Sequence, residues 1–258
     1  MVGLSLVDVG MTYSAGGREI RALEGIGFEL EKGEVATIVG PSGSGKTTLL
    51  RIAAGLEAPR SGSVFRAEGS KLGFVFQEPR LLNHLTVEGN IALGLGSRRA
   101  EKEGAARVRE VIGQLGLHGH RRAYPDQLSG GLAQRVSLGR ALVRDPDILF
   151  MDEPFSALDA PLRRRLQDGL LGILAARSAS VLFVTHDLVE ALYLGDRVLA
   201  LSGGRIVRDE RIAIRRPRDP WRADFVGMVD SLVNTLRASG PEPASEPECT
   251  ASLEEYSA

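Results

Sequence analysis

Val35-Ala36-Thr37-Ile38-Val39 runs directly into Gly40-Pro41-Ser42-Gly43-Ser44-Gly45-Lys46-Thr47. The first five residues are a continuous apolar, β-branched run, which predicts a strand buried on both faces, as in a parallel sheet. The next eight match the phosphate-binding pattern GxxxxGK[ST], placed where the motif requires it, between a strand and a helix. Glycines let successive backbone N–H groups curl around phosphate oxygens without Cβ clashes. A helix opening near Gly45 adds its positive dipole end. Lys46 then reaches the β- and γ-phosphates as a point charge, and the Thr47 hydroxyl is a ligand for Mg²⁺. Thr48 completes the set of candidate nucleotide contacts. The rival reading is a glycine-rich turn; a match at all four specified positions in this context favours phosphate.

Outward from this point, strands and helices alternate. Residues 1–34 read as strands, with a turn at Glu31-Lys32-Gly33-Glu34, and Thr47 to Leu56 reads as a helix ending near Gly55. Ser63–Phe65 and Leu72–Phe76 are short strand candidates. Residues 86–145 are different. Val87, Ile91, Leu93 and Leu95, then Val108, Val111, Ile112 and Leu115, suggest two amphipathic helices. Pro125 precedes a third helix from Ser129 to Val143. Alternation resumes with strands at Ile148–Met151 and Val181–Thr185, helices at Ala160–Ala176 and Asp187–Leu194, and a hairpin around Ser202-Gly203-Gly204. The expected fold class is α/β: a P-loop NTPase core with a mostly parallel sheet, an N-terminal antiparallel β subdomain and an inserted helical subdomain.

A second acidic feature pairs with the loop. Ile148-Leu149-Phe150-Met151 is a buried strand ending in Asp152-Glu153, and ligands sit at the carboxyl ends of strands in such sheets. Asp152 is placed to hold Mg²⁺ through water, and Glu153 to act as general base on the attacking water. Taken alone, the pair also reads as two solvated carboxylates at a strand end. Leu128-Ser129-Gly130-Gly131 lies 23 residues before Asp152. A serine and two glycines at a helix start form a second anion nest, which makes sense if it serves the nucleotide of another subunit.

With these motifs in order, residues 4–225 resemble the ATP-binding subunits of ABC transporters. The ordered matches are Tyr13, the loop 40–47, Gln77, Leu128-Ser129-Gly130-Gly131, Asp152-Glu153, Ser156-Ala157-Leu158-Asp159 and His186. The resemblance implies a role for each. Tyr13 stacks on adenine. Gln77 touches Mg²⁺ or the attacking water and senses a membrane partner. Ser129, Gly130 and Gly131 grip the γ-phosphate of ATP on the opposite subunit. Asp159 couples the two sites, and His186 contacts the γ-phosphate. Leu132 departs from the family's frequent glutamine after the signature, though importer-type members also carry hydrophobic residues there.

Three segments, 76–82, 154–159 and 190–198, resemble the importers of nitrate, aliphatic sulfonates and taurine. The implied partners are a second ATP-binding subunit, membrane-spanning permease subunits and, indirectly, a periplasmic or extracellular solute-binding protein. The implied location is peripheral, on the cytoplasmic face of the inner membrane. The rivals are an ATPase of an exporter or lipid-transport system and a soluble non-transport ABC ATPase.

Composition agrees. The chain has 258 residues, 43% hydrophobic and 25% charged, with 32 basic against 33 acidic side chains and a net charge of −1. That argues against a whole-surface footprint for nucleic acid. No run reaches the ~18–20 apolar residues of a membrane helix. The single cysteine, Cys249, excludes an internal disulfide. Residues 205–222 carry seven arginines, interrupted by Asp209, Glu210 and Asp219, and read as a solvated face rather than a nucleic-acid patch. The expected organisation is an ATP-binding domain over 1–225, with the helical insert at about 86–145, and a C-terminal extension over 226–258. The acidic, proline-containing stretch 240–258 has the composition of a disordered tail.

Overall fold

The computed structural model describes residues 2–15, 18–100, 102–156 and 158–239. Ala157, Cys249 and the tail expected over 240–258 lie outside the described residues. Two sheets form the frame. Strands β1 (Val2–Ala15), β2 (Arg18–Glu31) and β4 (Ser61–Arg66) make an antiparallel sheet in the order β2-β1-β4. The second sheet adds β3 (Val35–Val39), β5 (Leu72–Val75), β6 (Ile148–Asp152), β7 (Ser180–Val184), β8 (Arg197–Ser202) and β9 (Arg205–Arg211), in the order β5-β6-β7-β3-β8-β9. Its pairs are parallel except the β8–β9 hairpin, as the residue pattern predicted.

The central strands are buried on both faces, and their alternation splits the core in two. Ile148 and Phe150, Leu182 and Val184, Ala36 and Ile38 point to the side covered by helix α1 (Lys46–Ala54) and the antiparallel sheet. Leu149 and Met151, Val181 and Phe183, Val35 and Val39 point to the side covered by the remaining helices. This is why the strands read as uninterrupted apolar runs rather than alternating ones. Truncating Phe150 or Phe183, both fully buried, to alanine would cost about 3–5 kcal/mol.

Between β5 and β6 the chain leaves the sheet for α2 (Val87–Ala92), α3 (Lys102–Gln114) and α4 (Gly130–Leu142), the expected helical insert. Here the structure corrects one expectation. The first of the two amphipathic helices is a single short helix, α2, followed by a 3-10 segment over Leu93–Ala100 with non-helical backbone at Gly96, φ 58°. The chain passes so close to α4 at Gly94 that a Cβ there would sit 2.0 Å from the Arg140 carbonyl oxygen. Helices α5 (Ala160–Arg177) and α6 (Leu188–Leu194) follow β6 and β7. A last helix, α7 (Ala223–Ala238), spans the expected boundary at 225 and buries Phe225 and Leu232 in the main core. Among the described residues no helix is long and apolar enough to cross a membrane.

The arginine-rich segment is a solvated face, as expected, with Arg218 as the buried exception. Arg205 pairs with Glu24, Arg211 with Glu31, Arg216 with Asp196 and Arg222 with Asp224. Arg218 is 5% exposed, and its guanidinium donates to the carbonyls of Leu192, Gly195 and Ile214, which closes the end of α6. Burial pulls its pKa down to about 10. Sequence alone cannot show which backbone carbonyls a long side chain will reach.

Candidate active site

Strands β3, β7 and β6 are neighbours in the sheet, so their carboxyl ends bring three loops together. The first is 40–46. Gly45 forms the N-cap of α1 at φ 101°, and a Cβ there would lie 2.3 Å from the Ala22 carbonyl oxygen. Only glycine fits a left-handed position packed this closely. Lys46 follows. Its Nζ donates to the carbonyls of Gly40 and Pro41 at 2.8 and 2.9 Å, so the ammonium is folded back over the loop. Burial lowers its pKa below the ordinary lysine value, and the charges of Glu153 and Asp152 oppose that shift. Ser44 is buried with no hydrogen-bond partner for its Oγ, an orphaned donor inside the loop. Pro41, Ser42 and Gly43 are exposed and form the rim.

The second loop is the end of β6. Asp152 is 5% exposed, and its Oδ1 accepts from Thr47 Oγ1 at 3.0 Å. Burial raises its pKa above the usual aspartate value; the Thr47 hydrogen bond and the nearby cations act the other way. Glu153 has φ 41°, left-handed for a residue with a side chain, a conformation that costs of order 1–3 kcal/mol. It is held there by its N–H, which donates to the Val184 carbonyl at 3.0 Å, and by its carbonyl, which accepts from Ser156 Oγ at 3.0 Å. The strain aims the carboxylate at the third loop, after β7, where His186 Nδ1 lies 2.9 Å from Glu153 Oε2. With Glu153 ionised, its carboxylate accepts and His186 Nδ1 is the donor. Glu153 Oε1 has no protein hydrogen bond among the described residues.

Both flanks of His186 are anchored. Thr185 Oγ1 donates to Glu190 Oε2 at 2.5 Å, and Gln167 Nε2 on α5 donates to the other oxygen of Glu190 at 2.9 Å. Asp187 caps α6, accepting from the N–H groups of Val189 and Glu190. Gln167 went unread in the sequence because it lies on α5, 23 residues from Glu190.

Tyr13 sits at the edge of the loop, its hydroxyl donating to Glu57 Oε1 at 2.7 Å and lying 3.4 Å from Thr48 Oγ1. Gln77 lies two residues past Val75, which pairs with Met151, and is exposed at the same end of the sheet. Other expected residues do not join this cluster. Ser129 caps α4, accepting from Leu132 N at 3.4 Å, and Ser129 and Gly130 face outward. Gly131 is buried; a Cβ there would meet Leu162 at 2.3 Å. Asp159 caps α5, accepting from Leu162 N at 2.9 Å, and is exposed. Among the described residues no hydrogen bond joins Ser129, Gly130 or Asp159 to the loop 40–47. His84, His118 and His120 are exposed.

The cluster suits a phosphate ester with a divalent metal. An orphaned hydroxyl, a buried lysine and a ring of backbone N–H groups match phosphate oxygens, while Thr47 Oγ1 and Asp152 offer the hard oxygens Mg²⁺ prefers. No group of three or more acidic, histidine or cysteine side chains forms a metal cage among the described residues. Magnesium bound beside phosphates needs none, since it takes one or two carboxylates, phosphate oxygens and water.

Residues 23–156 match the ABC transporter family. The chain is 40% identical over 245 residues to an uncharacterized ABC transporter ATP-binding protein of Methanocaldococcus jannaschii, covering 92% of each. It is 43% identical over 245 residues to the aliphatic sulfonates import ATP-binding protein SsuB of Bacillus cereus, covering 92% of this chain and 97% of the relative. It is also 43% identical over 242 residues to the sulfate/thiosulfate import ATP-binding protein CysA of Xylella fastidiosa, covering 88% and 70%. A similar solved structure is the dimeric post-hydrolysis state of an ATP-binding cassette bound to ADP and Pi, with TM-score 0.74 and 31% identity over 82% of this chain and all of the other.

Proposed function

The chain belongs to the ABC transporter family of ATP-binding proteins, and on that premise we propose that it powers import of a small anionic solute by hydrolysing ATP at sites completed between two copies. The observation that carries this reading is the meeting of Lys46, Thr47, Asp152, Glu153 and His186 at three adjacent strand ends, with Ser129 and Gly130 turned away from them.

Each residue has a task that its surroundings support. The loop amides, Ser44 and Lys46 bind and orient the phosphates. Tyr13, fixed beside Thr48, supports the base by stacking. Thr47 and Asp152 hold Mg²⁺, with Gln77 entering from the end of β5; when bound, the ion offsets phosphate charge and aligns the γ-phosphate. Glu153 takes a proton from the attacking water on Oε1 while His186 steadies Oε2. Ser129, Gly130 and Gly131 of the second copy supply the anion nest that closes over the γ-phosphate, and Asp159 lies at the same face.

Closure is a switch because ATP makes contacts across the interface that exist in one arrangement only. Permease subunits carry the solute path, and this chain docks peripherally on their cytoplasmic side. Two of the relatives are named for import of aliphatic sulfonates and of sulfate/thiosulfate, which are oxyanions, and this supports a nitrate-, sulfonate- or sulfate-like cargo delivered by a solute-binding protein. The reading is tested by Glu153→Gln, which keeps the shape and hydrogen bonding of the side chain but removes its basicity. Turnover should drop by about 10²–10⁴ with ATP still bound; undiminished turnover in this variant would remove Glu153 from the chemistry.

A further inference from the structure

Helix α5 places Asp159, Arg163 and Gln167 one turn apart, so they share a face. Arg163 is the middle member, and its guanidinium forks. One terminal nitrogen donates to the carbonyl of Leu158 at 3.0 Å, in the loop that presents Asp159. The other donates to Asp187 Oδ2 at 3.2 Å, in the loop that presents His186. Its Nε is buried and has no hydrogen-bond partner among the described residues. Asp187 spends its other oxygen on capping α6, so the carboxylate has one oxygen for the helix and one for Arg163. A planar, forked cation is the side chain suited to hold two acceptors at a fixed separation; a lysine offers only a point charge.

From this geometry we infer that Arg163 is a positioning residue that ties the outward-facing Asp159 loop to the His186–Glu153 pair. A displacement of one loop moves the other through a single rigid group. Gln167, one turn on, holds Glu190 and thereby Thr185, so the loop of His186 pivots between two anchors from one helix. The link gives Asp159 a mechanical path, through Arg163 and Asp187, to the His186–Glu153 pair. The inference rests on the active-site reading above.

The test uses the full chain and four variants: Arg163→Met, Arg163→Lys, Asp187→Asn and the Arg163→Met/Asp187→Asn double. Asparagine caps helices as well as aspartate, so Asp187→Asn keeps α6 but turns an amide N–H₂ against the guanidinium. Steady-state ATPase, binding of a fluorescent ATP analogue and thermal unfolding are measured on each, with Glu153→Gln beside them.

The expected result for Arg163→Met is a kcat lower by roughly ten- to hundredfold, as for other small misplacements of reacting groups, with KM and analogue affinity within about twofold of wild type. Asp187→Asn should give the same split, Arg163→Lys a partial recovery, and the double variant a loss no greater than the larger single one. Wild-type kcat in Arg163→Met overturns the inference. So do a loss of affinity and melting temperature that accounts for the loss of rate, and additive losses in the double variant. If Arg163→Met does not fold, Asp187→Asn carries the same comparison. A Glu153→Gln chain that still hydrolyses ATP strikes the active-site reading itself; one that is dead beside an unaffected Arg163→Met strikes only the role of Arg163.

Discussion

Around Lys46, Thr47, Asp152, Glu153 and His186 the chain supplies its own partners: carbonyls for the ammonium, a hydroxyl for the aspartate, an imidazole for the glutamate. Around Ser129, Gly130 and Asp159 the described residues supply only helix caps, and the surface faces outward. A Cβ on Gly130 would meet nothing within 4 Å, whereas one on Gly45 would strike backbone at 2.3 Å. The first region is a prebuilt anion site with the strain and burial typical of chemistry. The second is half a site, shaped by the same kind of helix start but left without a counterpart in its own chain. The difference supports the proposal above, in which one copy carries the chemistry and another completes its pocket.

The largest expected effect breaks the prebuilt half. Lys46→Ala removes the buried charge proposed to meet the β- and γ-phosphates. Its turnover should fall by about 10²–10³ or more, the scale seen when one oriented electrostatic group is lost. Equilibrium titration with a labelled nucleotide should show weakened ATP binding as well, and tight binding in this variant would contradict the assignment.

The next effect breaks the outward half without touching stability. Ser129→Asp keeps a strong cap on α4 but sets a carboxylate against the incoming γ-phosphate. Melting temperature should hold while ATPase drops by at least about tenfold, a cost expected for opposing charges that must desolvate together. If ATPase survives unchanged, Ser129 is a cap and nothing else.

Asp152 sharpens the comparison through pH. Its folded pKa is raised above the unfolded value because it is buried. By linkage, a group with a raised folded pKa contributes stability that is present below the unfolded pKa and lost as pH rises through the folded pKa. At neutral pH without metal the ionised carboxylate is therefore a net cost to the fold. Asp152→Asn should raise the melting temperature of the metal-free chain while abolishing Mg²⁺-dependent turnover, a trade of stability for function. In the unaltered chain, the Mg²⁺ concentration needed for half-maximal rate should climb on acidification at a pH above that of an ordinary aspartate. A melting temperature that falls in Asp152→Asn would reverse this account.

The smallest expected effect is Ser129→Ala, which loses only a hydroxyl. Calorimetry should show about 1 kcal/mol of destabilisation from the missing cap. The backbone amides of the nest stay in place, so the loss of rate should be smaller than in Ser129→Asp.

Much of this was legible in the sequence because local patterns carried it. The β-branched run 35–39, the glycine spacing of 40–47 and the acidic end of 148–153 each announce an element and its chemistry without tertiary information. What was not legible depends on partners distant in the chain. Glu153 and His186 are 33 residues apart and meet because β6 and β7 are neighbours in the sheet. Helix α7 has apolar residues at Phe225, Val229, Leu232 and Leu236, a helical spacing that was there to be read. Its start is unmarked because Arg222 caps it without a side-chain hydrogen bond. The arginines of 205–222 read as solvent-facing, which holds for most of them but not for Arg218, because composition does not show that it points at backbone carbonyls. Arg163 belongs to the same class, its meaning set by two loops it touches rather than by its neighbours in sequence.

The central claim is that the outward half completes the prebuilt half of a second copy. It is tested most directly by light scattering on the Glu153→Gln chain, with and without Ser129→Asp, in ATP and Mg²⁺. The account predicts that Glu153→Gln passes from a mass of 27.7 kDa to twice that value when ATP is added. It also predicts that the Glu153→Gln/Ser129→Asp chain binds ATP yet stays at the single mass. An ATP-bound Glu153→Gln chain that remains monomeric, or a double variant that dimerises as well as the single one, would contradict it.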